Sequence, residues 1–212
     1  MDKGLSLHDV TISKGSAPLL SVSHDIAPGE VLTVMGPSGV GKSTLLAFVT
    51  GTLAADFKAS GRVTLDGQDI TDAPAHQRRV GILFQDDLLF PHLSVGANLA
   101  FGLKAGGHKA GRLAKIKEAL AEVGLDGFED RDPATLSGGQ KTRIALMRML
   151  LSEPCALLLD EPFSRLDAAL RAQVRDMVFD RAKARGLPVL MVTHDADDAQ
   201  AAGGEIIQLQ AQ

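Results

Sequence analysis

Two short segments carry residue types whose chemistry belongs together. The first is Gly36-Pro37-Ser38-Gly39-Val40-Gly41-Lys42-Ser43, followed by Thr44. It matches the phosphate-loop pattern G-x-x-x-x-G-K-[ST] in full. Glycines let successive backbone N–H groups point into one concavity without Cβ clashes. A helix start after the loop adds partial positive charge toward bound phosphates. Lys42 can reach the β- and γ-phosphates of ATP, and the Ser43 hydroxyl can ligate Mg²⁺. The plainer alternative, a glycine turn before a helix, is disfavoured by the apolar run Val31 to Met35 that feeds the loop.

The second segment is Ala156-Leu157-Leu158-Leu159-Asp160-Glu161, an apolar strand ending in two carboxylates. In an open parallel sheet, ligands collect at the carboxyl ends of strands. Asp160 there can hold Mg²⁺, directly or through water. Glu161, one residue on, points elsewhere and could polarise an attacking water. A strand merely terminated by solvated acids is the alternative; hydrolysis needs a metal site and a water site together, which the phosphate loop makes available.

The elements that position these groups are legible from pattern. Ser6 to Ile12, Val22 to Ile26 and Glu30 to Met35 read as strands, with Pro28-Gly29 a turn. Lys42 to Val49 reads as a helix that Gly51 stops. Gly61 to Leu65, Asp66-Gly67 and Gln68 to Ile70 read as a hairpin, and Val80 to Phe84 as a buried strand. From about 86 to 151 the pattern turns helical. Ser94 caps a helix over Val95 to Leu103, Gly106-Gly107 and Gly111 form a break, Leu113 to Val123 is amphipathic, and Ser137 opens a helix to Leu151. Strand, helix, strand follow at Ala156 to Leu159, Ala168 to Ala184 and Pro188 to Thr193, with a last strand at Glu205 to Leu209. Such alternation predicts an α/β fold with a parallel sheet. The expected architecture is a phosphate-loop NTPase: a parallel-sheet ATP-binding core (1–85 and 152–212), an N-terminal antiparallel β subdomain and an inserted helical lobe (about 86–151).

Bulk properties narrow the class. The net charge of −4 argues against a nucleic-acid grip. One cysteine, Cys155, permits no internal disulfide and suits a reducing compartment. No apolar run approaches a bilayer span. Met1-Asp2-Lys3-Gly4 opens no signal peptide, so none is expected.

Leu136-Ser137-Gly138-Gly139-Gln140 then resembles the signature motif of ABC-type ATPases, and it lies between the phosphate loop and the acidic strand as that family has it. Ser137 and two glycines at a helix start also form a second anion site by the physics of the first. The resemblance covers essentially the whole chain. It implies that the signature faces the γ-phosphate bound to the other subunit of a head-to-tail homodimer. It identifies Gln85 with the Q-loop glutamine that senses Mg²⁺, Ser164-Arg165-Leu166-Asp167 with the D-loop at the dimer interface, and His194 with the switch histidine that contacts the γ-phosphate. Of six histidines only His194 ends a strand. The run Phe84 to Val95 looks most like the importer branch. The implied system has integral-membrane permease subunits, a periplasmic or extracellular solute-binding protein, and this chain peripheral on the cytoplasmic face of the membrane. Phe90, Pro91 and Leu93 are candidates both for permease contact and for lobe packing.

Three departures from the family stand out. It usually stacks an aromatic ring on adenine from the segment before the phosphate loop, yet the chain has no tyrosine or tryptophan and its first phenylalanine is Phe48. Ile12 or another aliphatic near Ser13 to Ala17 is expected to replace the stack, with weaker discrimination among purines. Lys141-Thr142-Arg143 replaces the commoner Arg-Gln-Arg. No C-terminal regulatory β-domain is expected within 212 residues. The rival class, a soluble ABC-type ATPase of DNA repair or chromosome organisation, would insert long coiled coils between Thr44 and Thr135, where no heptads occur. A small-molecule kinase would share the phosphate loop but not Leu136 to Gln140.

Overall fold

The computed structural model describes residues 3–86 and 88–210. Met1, Asp2, Asp87, Ala211 and Gln212 lie outside them, Asp87 being part of the importer-like run. In chain order the elements are β1 (Leu5–Lys14), β2 (Ala17–Ile26), β3 (Val31–Met35), α1 (Lys42–Thr50), β4 (Phe57–Leu65), β5 (Gln68–Asp69), β6 (Val80–Leu83), α2 (Val95–Gly102) and α3 (Lys109–Glu122). There follow α4 (Gly138–Leu151), β7 (Ala156–Asp160), α5 (Ala168–Ala184), β8 (Val189–Thr193), α6 (Ala196–Ala202) and β9 (Glu205–Gln208).

Two sheets form. β2, β1, β4 and β5 make an antiparallel one, in that order. Leu5, Leu7, Val10 and Ile12 of β1 are at most 1% exposed, while the residues between them face outward. That alternation is what one buried face requires. The second sheet has the order β6-β7-β8-β3-β9, with β7, β8, β3 and β9 parallel. Its inner strands are continuous apolar runs, Ala156–Asp160 and Val189–Thr193 being buried throughout. A parallel sheet covered on both faces needs such runs. Each leucine there, such as Leu158 or Leu190, contributes about 1.5–3 kcal/mol by burial.

The register fixes where the chemistry falls. Met35 pairs with Thr193, and Asp160 with Val192. The chain therefore leaves three neighbouring strands at Gly36, Glu161 and His194 along one carboxyl edge.

The helices differ from the sequence reading in two places. α3 begins at Lys109 and takes in Gly111, which the pattern marks as part of a break. A lone glycine costs a helix about 1 kcal/mol, too little to stop one that Ile116, Ala119 and Leu120 anchor by burial. α6 has no apolar periodicity to betray it. It starts because the Asp195 side chain accepts from the N–H groups of Asp197 and Asp198, whose own carboxylates sit in the first turn.

The chain divides into two compact units. One comprises Met1–Ile82, Cys155–Glu161 and Met177–Gln212; the other comprises Leu83–Pro154 and Pro162–Asp176. In the first, the buried Arg78 guanidinium ties down the end of α1. It donates to the carbonyls of Phe48 and Val49 at 2.9 Å each, of Ala73 at 2.7 Å and of Thr71. In the second, the fully buried Asn98 amide donates to the carbonyls of Phe90, Leu93 and Ser94 and accepts from Phe90 N, which shapes the turn before α2.

Candidate functional site: a phosphate loop at the carboxyl edge

Within the first unit, β3 runs directly into the loop and α1 starts at Lys42. Gly41, the residue before the helix, has φ 100° and no side-chain cap. A Cβ there would meet Leu20 Cδ2 at 2.9 Å, so both the left-handed backbone and the packing of β2 demand glycine. Gly39 is also left-handed, at φ 83°. The Lys42 side chain is buried and folds over the loop. Its ammonium donates to Gly36 O at 2.7 Å and Pro37 O at 3.1 Å. An ammonium has three donors, so this cation both braces the loop and keeps charge at its centre.

Asp160, the last residue of β7, is 8% exposed and shares a hydrogen bond with the Ser43 hydroxyl. Burial, with Glu161 next door adding to it, holds its carboxyl above the usual carboxylate range; the Ser43 hydrogen bond and the Lys42 charge offset part of this. A hydroxyl and a carboxylate side by side are hard oxygen donors, suited to Mg²⁺, which commonly takes one or two protein oxygens and completes its shell with phosphates and water. Among the described residues no cluster of three or more His, Cys, Asp or Glu could hold a metal alone.

Glu161 turns away from the strand with φ 47°, a conformation costly for a residue with a side chain. Its Oε1 lies 2.8 Å from His194 Nδ1. Its Oε2 accepts from Thr193 Oγ1 at 3.1 Å and lies 3.4 Å from His194 N. The His194 side chain is 67% exposed and that of Glu161 10%. Lys42, Ser43, Asp160, Glu161 and His194 are thus brought together in one unit, and the pairing of Glu161 with His194 was not foreseen. Thr193 was missed as well, because β8 reads simply as a buried strand.

The remaining sequence candidates lie in the second unit. Gln85 is exposed, two residues after β6. Leu136 is buried, and Ser137 begins α4 with a capping box: its hydroxyl accepts from Gln140 N while the Gln140 side chain accepts from Ser137 N. Gly138 has open space where a Cβ would stand, and Gly139 lies against Leu166 and Arg165 O. Asp167 Oδ1 accepts from Leu170 N, so it serves as the cap of α5. The Phe90 ring packs edge-on to Phe101 with centroids 4.7 Å apart, which gives it a packing role inside the lobe. Ile12 is 1% exposed and packed in the core. It cannot stack on a base, and that expectation is corrected; Ala17, exposed at the hairpin, is the aliphatic left in the stretch Ser13 to Ala17.

A parallel sheet whose inner strand feeds a G-x-x-x-x-G-K-S loop, with an acidic strand end beside it, defines a phosphate-loop nucleotide-binding protein. The chain belongs to the ABC transporter family, whose sequence profile matches residues 19–164. It is an ATP-binding and ATP-hydrolysing subunit of that family. It is similar to the uncharacterized ABC transporter ATP-binding protein YnjD of Escherichia coli K12, at 49% identity over 86% of this chain and 84% of that protein. It is also similar to the Fe(3+) ions import ATP-binding protein FbpC of the same strain, at 40% identity over 96% of this chain. The chain spans only 58% of the length of FbpC. Among solved structures it resembles the dimeric post-hydrolysis state of the ATP-binding cassette MJ0796 bound to ADP and Pi, with TM-score 0.84, 30% identity, and coverage of 98% of this chain and 96% of that one. No helix among the described residues is long and apolar enough to cross a membrane.

Proposed function

We propose that the chain is the ATPase subunit of a bacterial solute importer, peripheral on the cytoplasmic face of the membrane. It would work as a homodimer with integral-membrane permease subunits and a solute-binding protein. The observation that carries the mechanism is the gathering of Lys42, Ser43, Asp160, Glu161 and His194 on one sheet edge. The YnjD and FbpC likenesses support the transport role, and the dimeric MJ0796 cassettes support the two-copy assembly. The core of 1–85 and 152–212 would carry the nucleotide, and the lobe of about 86–151 the signature.

Each ATP lies between two copies. Gly36 to Thr44 of one protomer cradle its phosphates, and Leu136 to Gln140 of the partner close over the γ-phosphate. Ser164 and Asp167 line the interface. Ser43 and Asp160 would hold Mg²⁺, which would supply charge neutralisation at the transferring phosphoryl group, and Gln85 would have the Mg²⁺-sensing role that its likeness to the Q-loop glutamine implies. Lys42 holds the β- and γ-phosphates. Glu161 orients the attacking water and accepts its proton. His194 sits at hydrogen-bond distance from Glu161 through Nδ1, and its second ring nitrogen is the atom that would meet the γ-phosphate. Phosphoryl transfer asks mainly for such positioning and electrostatics.

The test is Glu161→Gln in the full chain. Turnover should fall by well over tenfold while ATP binding, measured by equilibrium titration, stays within a few-fold. Retention of more than a tenth of wild-type kcat, a barrier change below ~1.4 kcal/mol, refutes the assignment of Glu161.

A further inference from the structure

The two oxygens of the Glu161 carboxylate meet different side chains. Oε1 faces the His194 ring, which is largely exposed. Oε2 accepts from the Thr193 hydroxyl at 3.1 Å, on a residue with no exposed surface, and at a longer 3.4 Å from His194 N. That hydroxyl has one proton and two lone pairs. The Asp195 N–H, 3.1 Å away, can only donate, so it takes a lone pair and leaves the hydroxyl proton to Glu161 Oε2. The direction of the chain Asp195 N–H to Thr193 O–H to Glu161 carboxylate is therefore fixed, and each bond polarises the next. Thr193 is also the residue paired with Met35, immediately before the phosphate loop. Sheet register thus fixes the hydroxyl relative to Gly36, whereas Glu161 itself lies one residue beyond β7 at a left-handed φ of 47°.

From this geometry we infer that Thr193 is a positioning residue for hydrolysis: it pins Oε2 so that Oε1 is the oxygen presented to water. The inference rests on the reading of Glu161 as the base. Thr193 touches neither nucleotide nor water in this scheme and acts only through Glu161.

The experiment is a double-mutant cycle on the full chain, with steady-state ATPase rates and ATP binding measured for each variant. Thr193→Val keeps the shape and removes the donor. It should lower kcat about tenfold with the Kd for ATP changed less than about threefold. Thr193→Ser should recover most of the rate. In a Glu161→Gln background, Thr193→Val should change the residual rate by less than about twofold, because the group it acts through is already gone. A merely structural threonine would lower the rate equally in both backgrounds, and that result overturns the inference. So does a Thr193→Val enzyme within twofold of wild type beside an inactive Glu161→Gln. An active Glu161→Gln overturns the base assignment first, and the inference with it. Should Thr193→Val lose nucleotide binding through misfolding, the ratio of Thr193→Ala to Thr193→Ser rates in the two backgrounds decides the same question.

Discussion

Asp160 shows what the metal-holding role proposed for it would cost the fold. Buried beside Glu161, its carboxyl is held above the value of 3.8 that it has when free. A folded-state value above the unfolded one means that the charged form is penalised in the fold. The penalty is in force above the raised value and is relieved as pH falls through it. Asp160→Asn should therefore raise the thermal midpoint of the nucleotide-free chain at pH 7.5 by on the order of 2–4 °C, and ATPase activity should collapse. The gain should shrink as the scan is repeated toward pH 4, since protonation then does what the substitution did. Equal gains at both pH values, or a lower midpoint at pH 7.5, contradict this account. Residues that stabilise less than their replacements are expected where a charge is kept for chemistry.

At the scale of elements, Arg78 ties the C-terminal end of α1 to the segment Thr71–Ala73. α1 opens on the phosphate loop and closes under the Arg78 guanidinium, which serves four carbonyls. Arg78→Ala would leave these acceptors buried without their donor, a loss of roughly 2–4 kcal/mol. Urea denaturation should show it as a lowered midpoint with unchanged slope. Arg78→Lys should recover little, because an ammonium cannot reproduce a planar fork of five donors. None of this was legible beforehand. Phe48 and Val49 lie about thirty positions before Arg78, and periodicity carries no information about such partners. The same holds for Thr193 and Glu161, 32 apart. What local chemistry determines was readable: the loop at Gly36 to Ser43, the Ser94 and Ser137 caps, the stop at Gly51, and α5 at Ala168 to Ala184. Short or exposed pieces were not. The first half of β4 alternates half-buried Phe57 and Ala59 with exposed Lys58 and Ser60, too brief a pattern before Gly61 to announce a strand, and α6 is seven residues long and anchors itself by its cap and the buried Asp198 and Ala199.

At the scale of the whole molecule, the proposed two-copy clamp makes the signature one half of a shared site. Ser137 and Gly138 are exposed at the start of α4, with the hydroxyl already accepting from Gln140 N and its proton left to donate outward. A Glu161→Gln chain given ATP should therefore pass from 22.3 kDa to twice that mass by light scattering. Adding Ser137→Arg, which crowds that helix start, should hold it at the single-chain mass with ATP binding retained. A Glu161→Gln chain that stays at one mass with saturating ATP would count against the two-copy clamp.

The strand β3 lies between β8 and β9, whose residues come more than 150 positions later: Val31 pairs with Val189, and Leu32 with both Leu190 and Glu205. Leu209 then donates from its N–H to Met35 O at 2.7 Å, and its carbonyl oxygen would stand only 2.9 Å from a Cβ on Gly36. On the ribosome, the phosphate-loop sequence emerges early, but both strands that flank β3 are made long after it. A chain halted before Glu205 would hold every residue of the loop and its β8 neighbour, yet lack the strand and the Leu209 contact that close the other side of β3.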